Sequence, residues 1–157
     1  MPQTVLESIL RLLDSSGVPY RLAHHEPTYT SEQSAKARGE DIKIGGKAIV
    51  MKVGEEFKLF VLSAALKVDS GAIKEHFNEK RMRFATPEEL NELTGAVPGA
   101  VPPFGEPITR LPLYVDNSIL DNEKIAFNAG SLTDSIIISV DEYLRLTKPT
   151  ILDFSIR

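Results

Sequence analysis

Lys47-Ala48-Ile49-Val50-Met51-Lys52-Val53, then Gly54-Glu55-Glu56, then Phe57-Lys58-Leu59-Phe60-Val61-Leu62-Ser63-Ala64 is the stretch that decides how the chain is built. Two apolar runs rich in β-branched and aromatic residues flank a short polar connection that opens on glycine, the pattern of a β-hairpin. Side chains alternate faces along a strand, so Lys47, Ile49 and Met51 share one face. A lysine that opens an otherwise apolar face belongs at the rim of a core or pocket. There its ammonium can meet a phosphate or carboxylate as a point charge. A strand-end lysine reaching back to solvent fits the same pattern.

Upstream of the hairpin, Thr4 and Glu7 have capping-box spacing, and Val5, Ile9 and Leu12 follow at helical intervals. Gly17 and Pro19 end that helix. A short strand is expected over residues 20–24. A second helix is expected from Thr30, with Gln33 completing another capping box, to Gly39. Downstream, Asp69 caps a helix reaching Phe77, and residues 82–85 form a short strand. Thr86-Pro87-Glu88-Glu89 opens a helix that ends at Gly95. Residues 95–107 hold too many glycines and prolines for regular structure. Strands are expected over 113–116, 124–128 and 135–138, then a helix framed by Ser139 and Glu142, and a terminal strand over 151–156. Strands and helices mix without steady βαβ alternation. The expected fold is therefore α+β, a mixed sheet with helices around it, in a single domain over residues 1–157.

The chain has 157 residues, 42 % hydrophobic and 25 % charged, close to a globular average. It has no run of about 18 apolar residues, so no membrane span is expected. Met1-Pro2-Gln3-Thr4 lacks the basic region and apolar stretch of a signal peptide. With no cysteine, disulfides, thiolate catalysis and cysteine-type zinc sites are excluded, and the census fits a cytoplasmic protein. A net charge of −4 argues against coating by nucleic acid through bulk electrostatics. RNA contacts must then be local, and neither DNA nor a membrane is expected as a partner.

Several other residues invite a chemical reading. In Gly99-Ala100-Val101-Pro102-Pro103-Phe104-Gly105, glycine permits close backbone approach and proline stiffens the loop. The N–H groups of Gly99, Ala100 and Val101 can converge on an anion or a developing oxyanion. A surface turn stiffened by proline accounts for the same residues. His24 and His25 are adjacent on a strand and point to opposite faces, so they do not make one metal site. One of them can face a pocket. Asp116 ends a strand, where a carboxylate caps a helix or holds a lysine or a ribose hydroxyl. Asn128-Ala129-Gly130 ends another strand in a turn or close approach. Ser63 and Ser70 lack the context of a nucleophilic serine, and no phosphate loop or dinucleotide fingerprint is present.

Taken in order, His25-Glu26-Pro27, Gly46-Lys47-Ala48-Ile49-Val50, the loop from Gly99 to Gly105, Tyr114-Val115-Asp116 and Asn128-Ala129-Gly130 resemble the YbaK/prolyl-tRNA-synthetase-associated domain family. That family comprises the editing domain inserted in bacterial prolyl-tRNA synthetases and its free-standing relatives. The resemblance runs from about Tyr20 to about Leu144. It implies a mixed, partly barrel-like sheet surrounded by helices, and hydrolysis of the ester joining a mischarged amino acid to a tRNA 3′ end. It also implies catalysis without metal, cofactor or covalent enzyme nucleophile, with water or the substrate's own hydroxyl or side chain attacking. Lys47 would contact the terminal nucleotide or order the ester. Gly99 would open the G-x-x-x-P loop facing the scissile carbonyl. His25, Ala100, Val101, Pro102, Pro103, Gly105, Asp116, Asn128, Gly130 and Ser135 would contact substrate.

Members acting on cysteinyl-tRNA carry an aromatic residue where this chain has Ala23 and an acid near Ser135, where Asp134 stands one residue away. These departures turn the expectation from cysteine towards alanine, serine or threonine, with tRNA-Pro one candidate carrier. Small side chains suit editing, because a synthetase pocket cannot exclude them by binding alone. The expected partners are the aminoacyl-tRNA acceptor end and a synthetase. Two readings compete with the hydrolase: a non-catalytic tRNA- or synthetase-binding module of the same fold, and a lysine enzyme working through a Schiff base.

Overall fold

In the computed structural model, which describes residues 4–157, the hairpin forms in continuous antiparallel register from Gly46 opposite Ser63 to Val53 opposite Glu56. Met1-Pro2-Gln3, on which the absence of a signal peptide was read, lie outside the described residues. In chain order the elements are α1 (Val5–Ser15), β1 (Arg21–His24), α2 (Ser31–Arg38), a 3-10 turn (Ile42–Ile44), β2 (Gly46–Val53), β3 (Glu56–Ser63), β4 (Lys67–Val68), α3 (Ser70–Phe77), β5 (Met82–Phe84), α4 (Pro87–Thr94), β6 (Leu113–Asp116), α5 (Asn117–Leu120), β7 (Lys124–Asn128), β8 (Asp134–Ser139), α6 (Val140–Thr147), β9 (Thr150–Leu152) and β10 (Ser155–Ile156).

The main sheet has the order β5-β2-β3-β6-β9, antiparallel across β5, β2 and β3 and parallel across β3, β6 and β9. Its centre, β3, is buried on both faces, which is why its sequence is continuously apolar rather than alternating. One face carries Val50, Leu59, Val61 and Val115 into the larger core, with Ile9 and Leu13 of α1 and Tyr143 of α6. The other carries Met51, Phe60 and Leu62 onto Ile73 and Phe154. An antiparallel sheet of order β1-β8-β7 adds Ile125, Phe127, Ile136 and Ile138 to the larger core.

The two sheets touch at one backbone bridge, Gly45 to Ala126. No closed barrel forms among the described residues, and the partly barrel-like expectation reduces to this contact between open sheets. At the contact a Cβ on Gly46 would stand 2.6 Å from Ile125 Cδ1. Only glycine lets β2 begin that close to β7.

Helix ends follow the sequence signals. Thr4, Thr30, Asp69, Thr86 and Ser139 each accept a first-turn backbone N–H, and Thr86 with Glu89 forms a complete capping box. The sequence reading needs correction in four places. The 3-10 turn, β4 and α5 span two to four residues, too short for any periodicity to register. The terminal strand divides into β9 and β10 because the intervening Phe154 turns into the smaller core, 1 % exposed.

Residues 95–107 form no helix or strand, as expected, but they are not a surface turn. Ala100 through Gly105 are buried. Phe104 packs edge-on against Phe127 and Tyr143, and Tyr143 Oη donates to the Pro103 carbonyl at 2.5 Å. No described helix is long and apolar enough to cross a membrane.

Asp116 joins two chain segments. One carboxylate oxygen accepts the Ser118 N–H at 2.9 Å as the cap of α5, and the other accepts the Phe154 N–H at 2.6 Å. Burial alone would raise this carboxyl, but hydrogen bonds from Ser118, Phe154 and Ser155 outweigh it and hold the group below the ordinary aspartate range. The resulting stabilisation is complete above the unfolded value of about 3.9 and is lost as pH falls through the lower folded value. Asp116→Ala is expected to cost about 2–3 kcal/mol in urea unfolding at pH 7, one lost cap plus one stranded backbone donor. The difference from wild type should shrink in acid.

Candidate active site

The sheet contact brings three distant segments together. The start of β2 supplies Gly46 and Lys47, the loop supplies Gly99 and Val101, and the end of β7 supplies Asn128. They line a cleft of about 280 Å³, closed on its remaining side by Arg38 and by residues of the 28–34 segment.

Lys47 shares its face with Ile49 and Met51, and its side chain is half-buried. Nζ donates to the Leu66 carbonyl at 2.7 Å. Burial lowers this ammonium below the ordinary lysine range, with Glu32 opposing the shift and Lys67 adding to it. The charge is thus held at the cleft by a neutral carbonyl, without a carboxylate in hydrogen-bond contact to neutralise it.

The loop presents its backbone selectively. Ala100 N–H is consumed by the Val97 carbonyl at 3.0 Å, which removes it from the three donors considered in the sequence. Gly99 and Val101 N–H meet no acceptor among the described residues, and both residues line the cleft. Gly99 has φ +87°, a conformation that penalises any side chain. A Cβ there would still find ordinary contact, 3.4 Å from Leu132 Cδ2, so the demand for glycine is one of dihedral rather than space.

Asn128 ties the loop to the second sheet. Its Nδ2 donates to the Gly99 carbonyl at 2.8 Å, and its Oδ1 accepts from Arg38 Nη2 at 3.1 Å and Ser135 Oγ at 3.2 Å. One turn further on, Gly130 N–H donates to the Ala100 carbonyl at 2.9 Å. These bonds fix the direction of the Asn128 amide, oxygen towards the cation and nitrogen towards the loop.

Arg38 is the residue that sequence reasoning missed. It is 9 % exposed and makes no ion pair among the described residues. Nε donates to Ser135 Oγ at 2.9 Å and Nη2 to Asn128. Burial lowers the guanidinium to about 10. Placed last in a helix before a glycine, it reads as an ordinary dipole-complementing cation. The available signal was Ser34-Arg38 at i, i+4 with Ala35 beside them: a helix whose buried face holds almost no hydrophobes has another reason to be buried.

His25 and Ser135 stand behind Asn128 rather than in the cleft. His25 Nδ1 faces the Glu26 carbonyl at 2.8 Å and Nε2 meets Ser135 Oγ at 2.9 Å. His24 points the other way, to Asp134 Oδ1 at 2.8 Å, as strand alternation requires. Hydrogen bonds from His24, Ser131 and Thr133 outweigh burial and hold Asp134 below its ordinary value. Among the described residues no group of three His, Asp or Glu side chains is placed to hold a metal ion.

Asp116, proposed from sequence as a substrate contact, is a buried cap outside the cleft. Pro102, Pro103 and Gly105 lie beneath the loop and anchor it. Pro103 accepts from Tyr143, and the Gly105 carbonyl accepts from Ile108 and Thr109 N–H.

Comparison with known proteins gives this geometry a context. The aminoacyl-tRNA editing domain matches residues 25–146. The multifunctional Ser/Thr-tRNA deacylase ProXp-y of Escherichia coli K12 is 34 % identical over 154 residues, covering 94 % of this chain and 91 % of that protein. The prolyl-tRNA editing protein ProX of Acetoanaerobium sticklandii is 20 % identical over 153 residues, covering 94 % and 93 %. A proline–tRNA ligase of Macrococcus caseolyticus matches 68 % of this chain with only 18 % of its own length, at 24 % identity. A solved structure of a candidate trans-editing enzyme for prolyl tRNA synthetase superposes over the whole of both chains with TM-score 0.85 and 26 % identity. The chain belongs to the aminoacyl-tRNA editing domain family and is an editing deacylase of mischarged aminoacyl-tRNA.

Proposed function

We propose that residues 1–157 act as one deacylase domain in the cytoplasm, clearing a small amino acid, serine or threonine first, from a mischarged tRNA. The observation that carries this reading is the convergence of Lys47, Gly99, Val101 and Asn128 on one small cleft. Its size and lining favour a short polar side chain. The cleft wall includes Thr28 and Ser34, whose hydroxyls bond each other at 2.8 Å. A substrate hydroxyl can join that pair, whereas a large apolar side chain would strand it. The E. coli relative's named substrates point the same way.

Ester hydrolysis needs stabilisation of the oxyanion formed when water adds to the carbonyl. The uncommitted N–H groups of Gly99 and Val101 are the donors proposed for it, held in place by Asn128 at the Gly99 carbonyl. Lys47 supplies positive charge for the terminal nucleotide or the reacting ester. Arg38 acts as a positioning residue, orienting Asn128 through its Nη2. The acceptor end of tRNA is the proposed partner, and a prolyl-tRNA synthetase a proposed associate.

Deacylation of alanyl-, cysteinyl-, seryl- and threonyl-tRNA, each on its own carrier and on tRNA-Pro, tests the assignment. Hydrolysis of the serine and threonine esters is expected. Binding of tRNA without hydrolysis across the panel would turn the reading to a silent binding module. Lys47→Ala should lose about a hundredfold or more in kcat/KM while keeping the wild-type urea midpoint. Asn128→Ala should lower kcat about ten- to a hundredfold with KM little changed, the pattern of a residue acting on loop geometry rather than affinity. An unchanged kcat would remove the Asn128 link from catalysis. Gly99→Ala should lower kcat through backbone strain, without overpacking.

A further inference from the structure

Tyr29 differs from the other exposed apolar side chains. Its ring is 72 % exposed, more than Phe84 at 61 %, Ile156 at 54 % or Val97 at 49 %, and of these four only Tyr29 lines the cleft. The segment that presents it is fixed. Thr28 N–H donates to the Leu132 carbonyl at 3.0 Å, Tyr29 N–H donates to Gln33 Oε1 at 2.8 Å, and Thr30 caps α2. The ring itself has no aromatic or cationic partner among the described residues. A large planar surface is thus held in water at the mouth of a site whose inner wall carries Lys47 and Arg38.

The geometry points to Tyr29 as the stacking platform for the terminal nucleobase of the tRNA acceptor end. This rests on the deacylase reading, which places a single-stranded RNA terminus at the cleft with its ester near Gly99. The base must then lie further out, towards the rim, while the phosphates fall to the cations. Every tRNA ends in the same adenosine, and stacking accepts a base by its π-face without hydrogen-bond readout. The net charge of −4 supplies no bulk attraction for RNA, so a localised contact of this kind has to carry affinity.

The chain contains no tryptophan, so Tyr29→Trp installs a sole indole at the platform, and Phe84→Trp installs one at a remote exposed site. Titration with adenosine monophosphate and with the trinucleotide CCA is expected to quench the first saturably and leave the second unchanged. In deacylation, Tyr29→Ala should raise KM for aminoacyl-tRNA about five- to a hundredfold with kcat nearly constant, and Tyr29→Phe should restore wild-type KM. Absence of quenching in Tyr29→Trp, equal quenching in both variants, or an unchanged KM in Tyr29→Ala would overturn the platform. Saturable quenching in a protein that deacylates no aminoacyl-tRNA would sink the deacylase reading and leave the base platform standing.

Discussion

Two sheets meet where residue 46 has room for a hydrogen and nothing larger. A Cβ at Gly46 would collide with Ile125, and the neighbouring Gly45 bridges to Ala126. This contact sets the distance between the start of β2 and β7, and hence between Lys47 and Asn128. Neither strand would build a site alone. β2 contributes a cation at the edge of an apolar face, and β7 ends in an amide. The cleft exists because the sheets touch at one end of the hairpin rather than closing into a barrel. Everything attached to β7, including the loop that Asn128 grips, is thereby brought to Lys47.

The hydrogen bonds behind the cleft form a single connected set. Arg38, Ser135, Asn128 and the Gly99 carbonyl run from α2 through β8 and β7 to the loop. Burying a guanidinium costs free energy unless its donors are met, and here two neutral side chains meet two of its nitrogens. The structure therefore stores a positive charge beside the cleft and uses it to hold an amide rather than to pair with an acid. A carboxylate in that place would neutralise the charge, and would set a competing anion beside the proposed oxyanion donors.

Much of this was legible in the sequence, for identifiable reasons. The hairpin and the capped helices are written in local signals: alternation, glycine at the connection, and hydroxyl or carboxylate caps before each helix. Lys47 was legible because an apolar strand face rarely opens on a charge, and Gly99 because its loop combines glycine and proline densely. What escaped was decided by contacts between distant segments. Arg38 looks like any helix-terminal cation until β7 and β8 arrive beside it. Asp116 was readable as a helix cap at a strand end, but only the return of the chain at Phe154 shows that it also staples two segments. Ala100 is the exception: Val97-Pro98-Gly99-Ala100 carries the local proline-glycine signature of a turn in which the Val97 carbonyl takes the Ala100 N–H, and that signal was overlooked when Ala100 was counted among the donors.

The burial of Ala100 through Gly105 has a consequence for how such a protein can change. Side chains and carbonyls of this loop are spent on the core: Phe104 between two aromatic rings, Pro103 under Tyr143, Gly105 under Ile108 and Thr109. A substitution there perturbs the folded state before it alters selectivity. On the opposite wall, which rests on a short helix, Tyr29 and Thr30 lie at the surface while Thr28 and Ser34 are buried. The cleft is thus half bedrock and half shore. New substrate preferences can accumulate along the shore one residue at a time, while the half proposed to handle the carbonyl stays anchored in the fold.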